Sequence, residues 1–131
     1  AFLEGGSNWT TFVMEKMDDE YPKNLRRRGC RKLDLTPSEY FRCGRLFWHG
    51  ELERKSLQTT MQNIRPDVFF YASDFPHANS RKVIEEVHEF VQRDNFDDAT
   101  KRSLLSGVAD KMYGLDRALA ARKETARKVV A

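Results

Sequence analysis

Three short apolar runs, "AFLE" from Ala1, "RLFWH" from Arg45 and "DVFFYA" from Asp67, are each followed by residues whose apolar positions recur at helical spacing. This alternation restricts the fold more than anything else in the chain. After the first run Gly5 and Gly6 turn the backbone, Ser7 is placed to cap a helix, and Trp9, Phe12, Val13 and Met17 mark one helical face. Residues 22–35, "PKNLRRRGCRKLDL", have a basic cluster and no period and read as a loop. "TPSE" from Thr36 then has capping-box form, with Pro37 at the first helical position. Leu57, Met61 and Ile64 define the helix after the second run. Val83, Ile84, Val87, Phe90 and Val91 form the apolar stripe of the helix after the third, which starts at Ser80. Asp97 or Asp98 can cap a further helix carrying Leu104, Leu105, Val108 and Met112, with Gly114 placed to close it. Residues 115–131 read as a polar, basic helical tail.

Strand followed by helix, three times over, implies parallel strands joined by right-handed crossovers, the unit of doubly wound sheets and of (β/α) barrels. With 131 residues, 40% of them hydrophobic, and 9 Phe and 2 Trp, the chain can build one ordinary core. No internal repeat or linker-like tract divides it, so residues 1–131 read as a single domain or part of one.

The charges exclude some functions. Lys and Arg number 23 against 20 Asp and Glu, interspersed along the chain, so the formal +3 marks no track for a polyanion and nucleic acid is not an expected partner. The tail from Arg122 to Lys128 is basic, but Glu124 interrupts it and no aromatics interleave it. Cys30 and Cys43, thirteen positions apart, have neither disulfide-framework nor thiolate-metal spacing and read as reduced. No run approaches the ~20 apolar residues of a membrane span, and "AFLEGGSNW" lacks the basic and then apolar segments of a signal peptide. A cytoplasmic location without membrane association is the expectation.

In parallel α/β folds, function gathers at the carboxyl ends of the strands. "FFYASDFPHAN", residues 69–79, brings an apolar strand to such an end at Asp74. A carboxylate there stays ionised beside a metal ion or a proton-transfer partner; alternatively, Asp74 caps the next helix or holds the turn through Pro76. His49 and Glu51 end the second run, and Glu4 ends the first, so all three are candidates for substrate contact on the same face. His88, at the flank of its helix's stripe, reads as packing or surface. Arg26, Arg27 and Arg28 suit a carboxylate or phosphate by their guanidinium forks but read as a solvated loop.

"YASDFPHAN", with "FLEGGSNW" before it, "TPSEYFR" between and "LLSGVADKMYGL" after, resembles the C-terminal part of the amidohydrolase-2 branch of the metal-dependent amidohydrolase superfamily, from Phe2 to about Leu115. Ser-Asp-Phe-Pro-His is the most specific piece. Val108 stands where the family usually has Asn. The resemblance implies about strands six to eight of a (β/α)8 TIM-type barrel with a divalent metal, often zinc, at its carboxyl end. Asp74 matches the family aspartate of the last strand, as metal ligand or as carrier of the metal-bound water's proton. His77 matches a histidine that orients it.

The implied activity is hydrolysis of a small carbonyl compound. Non-oxidative decarboxylation of an aromatic or unsaturated acid is an alternative. The family's other ligands come from a His-x-His pair and a further histidine, whereas His49, His77 and His88 are the only histidines in this chain. A full barrel takes about 250 residues. Most metal ligands and the first five strands are therefore expected from another polypeptide or another part of a longer chain. A non-catalytic subunit that completes a barrel is the reading from a different class.

Overall fold

The computed structural model describes residues 1–27, 29–115, 117–120 and 122. Helix α1 spans Trp9–Leu25. Ser7 starts it through its backbone carbonyl, which accepts from both the amide and the hydroxyl of Thr10, while Asn8 occupies the cap position without a side-chain bond. The expected stripe is displaced: Thr10 and Met14 are buried, whereas Phe12 is 69% exposed. The helix also runs three residues past Pro22, into what the sequence marks as loop. Near a helix end, proline forfeits one hydrogen bond. Tertiary and local bonds hold the last turn: Asn24 Nδ2 donates to the Glu20 carbonyl at 2.9 Å, and the Tyr21 hydroxyl accepts the Leu33 amide at 2.7 Å.

Helix α2, Pro37–Arg42, has the capping box, with Glu39 bonded to the Thr36 amide at 2.7 Å and the Thr36 hydroxyl accepting the Glu39 amide at 3.4 Å. Such a cap contributes about 1 kcal/mol. Helix α3 is Leu57–Asn63, and Leu57, Met61 and Ile64 are all buried as their spacing predicts. Helix α4, Ser80–Val91, is capped by Asn79, whose side chain accepts the Lys82 amide at 2.9 Å. Of its stripe, Phe90 is buried while Ile84 and Val91 remain exposed. Asp97 caps α5, Asp98–Arg102, through the Thr100 amide. A π-helical turn at Ser103–Gly107 leads into α6, Val108–Tyr113, closed by Gly114 in the left-handed conformation at φ 64° and ψ 35°.

Strand β1, Trp48–His49, pairs in parallel with β2, Phe69–Phe70, Trp48 facing Phe69 and His49 facing Phe70. Phe2 adds a parallel bridge to Trp48, so three chain segments run in one direction in the order of the sequence. They are much shorter than the apolar runs that contain them. Pro66–Val68 forms a 3₁₀ turn, so the third run enters the sheet at Phe69. Trp48 is the centre of the core, stacked on Phe2 at 4.6 Å and on Phe41 of α2 at 5.3 Å, with Trp9 edge-on at 5.7 Å. Phe69, Phe90, Phe96 and Leu104 continue that core.

The two sheet edges differ. Beyond β2, the Tyr71 amide donates to the Leu104 carbonyl of the π turn at 2.9 Å, so a helical segment seals that edge. Phe2 uses both backbone groups toward β1, at 2.8 Å to the Phe47 carbonyl and 2.9 Å from the His49 amide. Leu3, whose backbone groups alternate to the other side, has no backbone partner among the described residues and is 53% exposed. None of the described helices is long and apolar enough to cross a membrane.

Candidate functional site

A cleft of about 190 Å³ opens at the carboxyl ends of β1 and β2, against the start of α4, with His49, Glu51, Asp74 and Tyr71 among its lining residues. The parallel register places them together: His49 lies opposite Phe70, one residue before Tyr71, so the segments leaving both strands emerge side by side. His49 Nε2 lies 3.1 Å from the Ala72 carbonyl. A carbonyl only accepts, so Nε2 carries the hydrogen and Nδ1 of the neutral ring is an acceptor. That Nδ1 is buried and has no partner among the described residues, and the same holds for the Tyr71 hydroxyl. Burial, and then the carboxylates of Glu86 and Glu53, push the pKa of that hydroxyl up.

Asp74 follows the strand in the left-handed region, φ 54°, a conformation that aspartate adopts more readily than most residues. Its carbonyl accepts the Ala78 amide at 2.9 Å, closing the turn ahead of α4. Since Asn79 is the cap of α4, the Asp74 side chain is free of that task. Its Oδ2 lies 3.1 Å from His77 Nδ1, with the Asp74 side chain 51% exposed and that of His77 91% exposed. His77 thus touches Asp74 from the solvent side and does not line the cleft.

Glu51 is held by Arg54, Nε to Oε2 at 2.5 Å, and presses on the backbone at Gly6, where an added Cβ would lie 3.1 Å from Oε2. Gly6 has φ 62°, which glycine alone adopts without strain. Glu4 is also left-handed, φ 61°, but is exposed and outside the cleft lining, so two of the three strand ends bring together His49, Glu51 and Asp74 and the first adds no residue to the lining. His88 is exposed, as are Arg26 and Arg27; Arg28 and the tail positions 123–131 lie outside the described residues.

Among the described residues, no three His, Cys, Asp or Glu side chains converge on a point that would hold a metal ion. The described residues therefore do not by themselves fit the metal centre that the resemblance implies. Four ionisable cleft residues are not marked by the sequence: Tyr71 sits within an apolar run, Glu53 beyond the strand end, and Lys82 and Glu86 within the first turns of α4. The i,i+4 spacing of Lys82 and Glu86, which bond at 3.4 Å, was the only available signal. Comparisons with protein-family profiles, with characterised proteins and with solved structures find no match. The likeness to the amidohydrolase-2 branch thus rests on the quoted motifs.

Proposed function

We propose that this chain is the carboxyl-terminal part of an amidohydrolase-type enzyme that hydrolyses a small carbonyl compound, with Asp74 carrying the proton that passes from water to the leaving group. The observation that carries the reading is the convergence of His49, Glu51 and Asp74 on one cleft at the ends of parallel strands. A half-exposed carboxylate at a strand mouth can take a proton from attacking water and return it, and His77 at 3.1 Å positions it. The divalent metal, zinc in many members of the family, needs ligands from outside this chain, as do the remaining strands of a (β/α)8 barrel. Free Cys30 and Cys43 support a cytoplasmic location.

Asp74→Asn tests this, since asparagine keeps the size and cannot ionise. In the natively purified assembly, assayed on a panel of amides, esters and lactones, turnover should fall by two or more orders of magnitude, the range of general acid–base contributions. Near-normal turnover rejects the role. His77→Ala should cost less, roughly 10 to 100-fold. Carbon dioxide release from an aromatic acid, lost in the same variant, would select decarboxylation. Metal analysis of the assembly separates this reading from that of a non-catalytic subunit completing a barrel: a stoichiometric divalent ion favours the enzyme.

A further inference from the structure

The near-balance of charge over the whole chain conceals one concentration. Residues 23–32 hold six of the 23 Lys and Arg, namely Lys23, Arg26, Arg27, Arg28, Arg31 and Lys32, and none of the 20 Asp and Glu, so the rest of the chain carries 17 cations against 20 acids. Most of these cations lie in the connection between α1 and α2, residues 26–36, which is longer than the ~2–8 residues usual between helices. Hydrogen bonds fold it back on the end of α1. The Arg27 amide donates to the Asn24 carbonyl at 2.9 Å, the Cys30 amide to the Arg27 carbonyl at 3.2 Å, and the Leu33 amide to the Tyr21 hydroxyl at 2.7 Å. The loop is thereby gathered at one end of the helix, and none of its residues lines the cleft at the strand ends. Arg26, Arg27, Arg31 and Lys32 are exposed and pair with no carboxylate among the described residues, whereas Lys23 is bonded to Glu20, and Arg54, Arg65 and Arg81 each have an acidic partner. Attraction to the carboxyl end of a helix reaches only its last turn, so it accounts for Lys23 and Arg26 and leaves the other cations without a role in the fold.

We propose that the loop between α1 and α2 docks on the headgroups of an anionic lipid bilayer. Guanidinium forks match phosphate oxygens, and like charges held together repel one another until an anionic partner neutralises them. The exposed arginines are not aimed at a common point by any protein partner, which a pocket for one phosphate would require and a surface of many phosphates does not. Leu25, Leu33 and Leu35, which flank the cations, are 37%, 39% and 37% exposed. Apolar groups beside cations are stabilised at the boundary between headgroups and acyl chains. A single-stranded nucleic acid rewards aromatic platforms, and residues 22–35 contain no aromatic side chain. The excess of acids over the rest of the chain keeps the other surfaces off an anionic bilayer and confines contact to this loop. Such attachment needs no spanning helix, and it departs from the expectation, drawn from the overall charge and the apolar runs, that membranes play no part.

The test is co-sedimentation of the natively purified protein with vesicles of phosphatidylcholine alone and of phosphatidylcholine with about 30% phosphatidylserine. The anionic vesicles should bind at least about tenfold more tightly than the neutral ones, and raising the salt from about 0.1 M to about 0.5 M should remove most of that difference. Replacing Arg26, Arg27 and Arg31 together by Gln should weaken binding to the anionic vesicles about tenfold or more, with the circular dichroism and thermal midpoint of the parent. A control that loses as many cations elsewhere, Lys16, Arg81 and Lys111 to Gln, should stay within about threefold of the parent. Equal binding to both kinds of vesicle, no effect of salt, or an equal loss in the control overturns the proposal, and the first two hold whether or not the variant folds. Tighter binding to a short single-stranded RNA than to the anionic vesicles, measured by fluorescence anisotropy at the same salt, overturns it in favour of a nucleic-acid partner. None of these measurements involves turnover, so they stand apart from the hydrolase reading.

Discussion

Among single residues, those that signal locally were legible and those that depend on distant neighbours were not. Thr36, Asp97 and Gly114 each do what their sequence surroundings dictate, because a cap is decided within one turn of chain. Asp74 was legible as the end of an apolar run, but its pairing with His77 and its place beside Tyr71 come from the fold. Asp67 shows what a neighbour adds. Side-chain bonds from Arg65 hold its carboxyl below the usual carboxylate range, Nη2 to Oδ2 at 2.5 Å. A pKa depressed on folding contributes stability that is present above the ordinary value of about 3.9 and lost as pH falls through the folded value. The Asp67 side chain is 46% exposed, so the pair is worth up to about 1 kcal/mol. Urea unfolding of Asp67→Asn should show that deficit at neutral pH and a convergence with the parent as pH falls below the ordinary carboxylate range. A deficit that persists undiminished at acid pH would assign it to lost packing.

Elements were legible in type and order, and less so in extent. Periodicity predicts which stretches are helical, but the buried side of α1 is chosen by Trp48 and Phe41, which lie far off in sequence. Pro22 was misleading because it sits near the helix end, where the last turn is also tied to the following chain by the Leu33 amide donating to the Tyr21 hydroxyl. The strands are short because only two or three residues of each run find parallel partners. Gly50, at the exit of β1, lies close against the side chains of Leu104 and Leu57. A Cβ there would lie 2.9 Å from Leu104 Cδ1 and 3.4 Å from Leu57 Cδ1, both side chains being fully buried. Gly50→Ala should destabilise by about 1–3 kcal/mol, the range for overpacking, measurable as a lowered thermal midpoint with the helical circular dichroism retained. An unchanged midpoint would mean that the Leu104 side chain rotates away freely.

For the molecule as a whole, the alternation of strand and helix was enough to predict parallel segments, but not how few residues would pair. Phe2, Leu3 and Trp9 are 44%, 53% and 37% exposed at the open strand, Trp9 lying 5.9 Å from Phe2. An apolar patch beside unpaired backbone favours association. Sedimentation velocity should therefore show a species heavier than the 15.3 kDa of the chain, and Leu3→Lys should shift it toward that mass, because a charge on an edge strand opposes pairing. A monodisperse 15.3 kDa species for the parent chain would refute the expected partner.

The bond from the Tyr71 amide to the Leu104 carbonyl bears on how a barrel could close around this chain. In a closed barrel every strand pairs on both sides, so a segment completing one beside β2 would have to take the place of that carbonyl. Closure would then cost the π turn at Ser103–Gly107 one of its present bonds, and a mutation that loosens this turn would lower that cost.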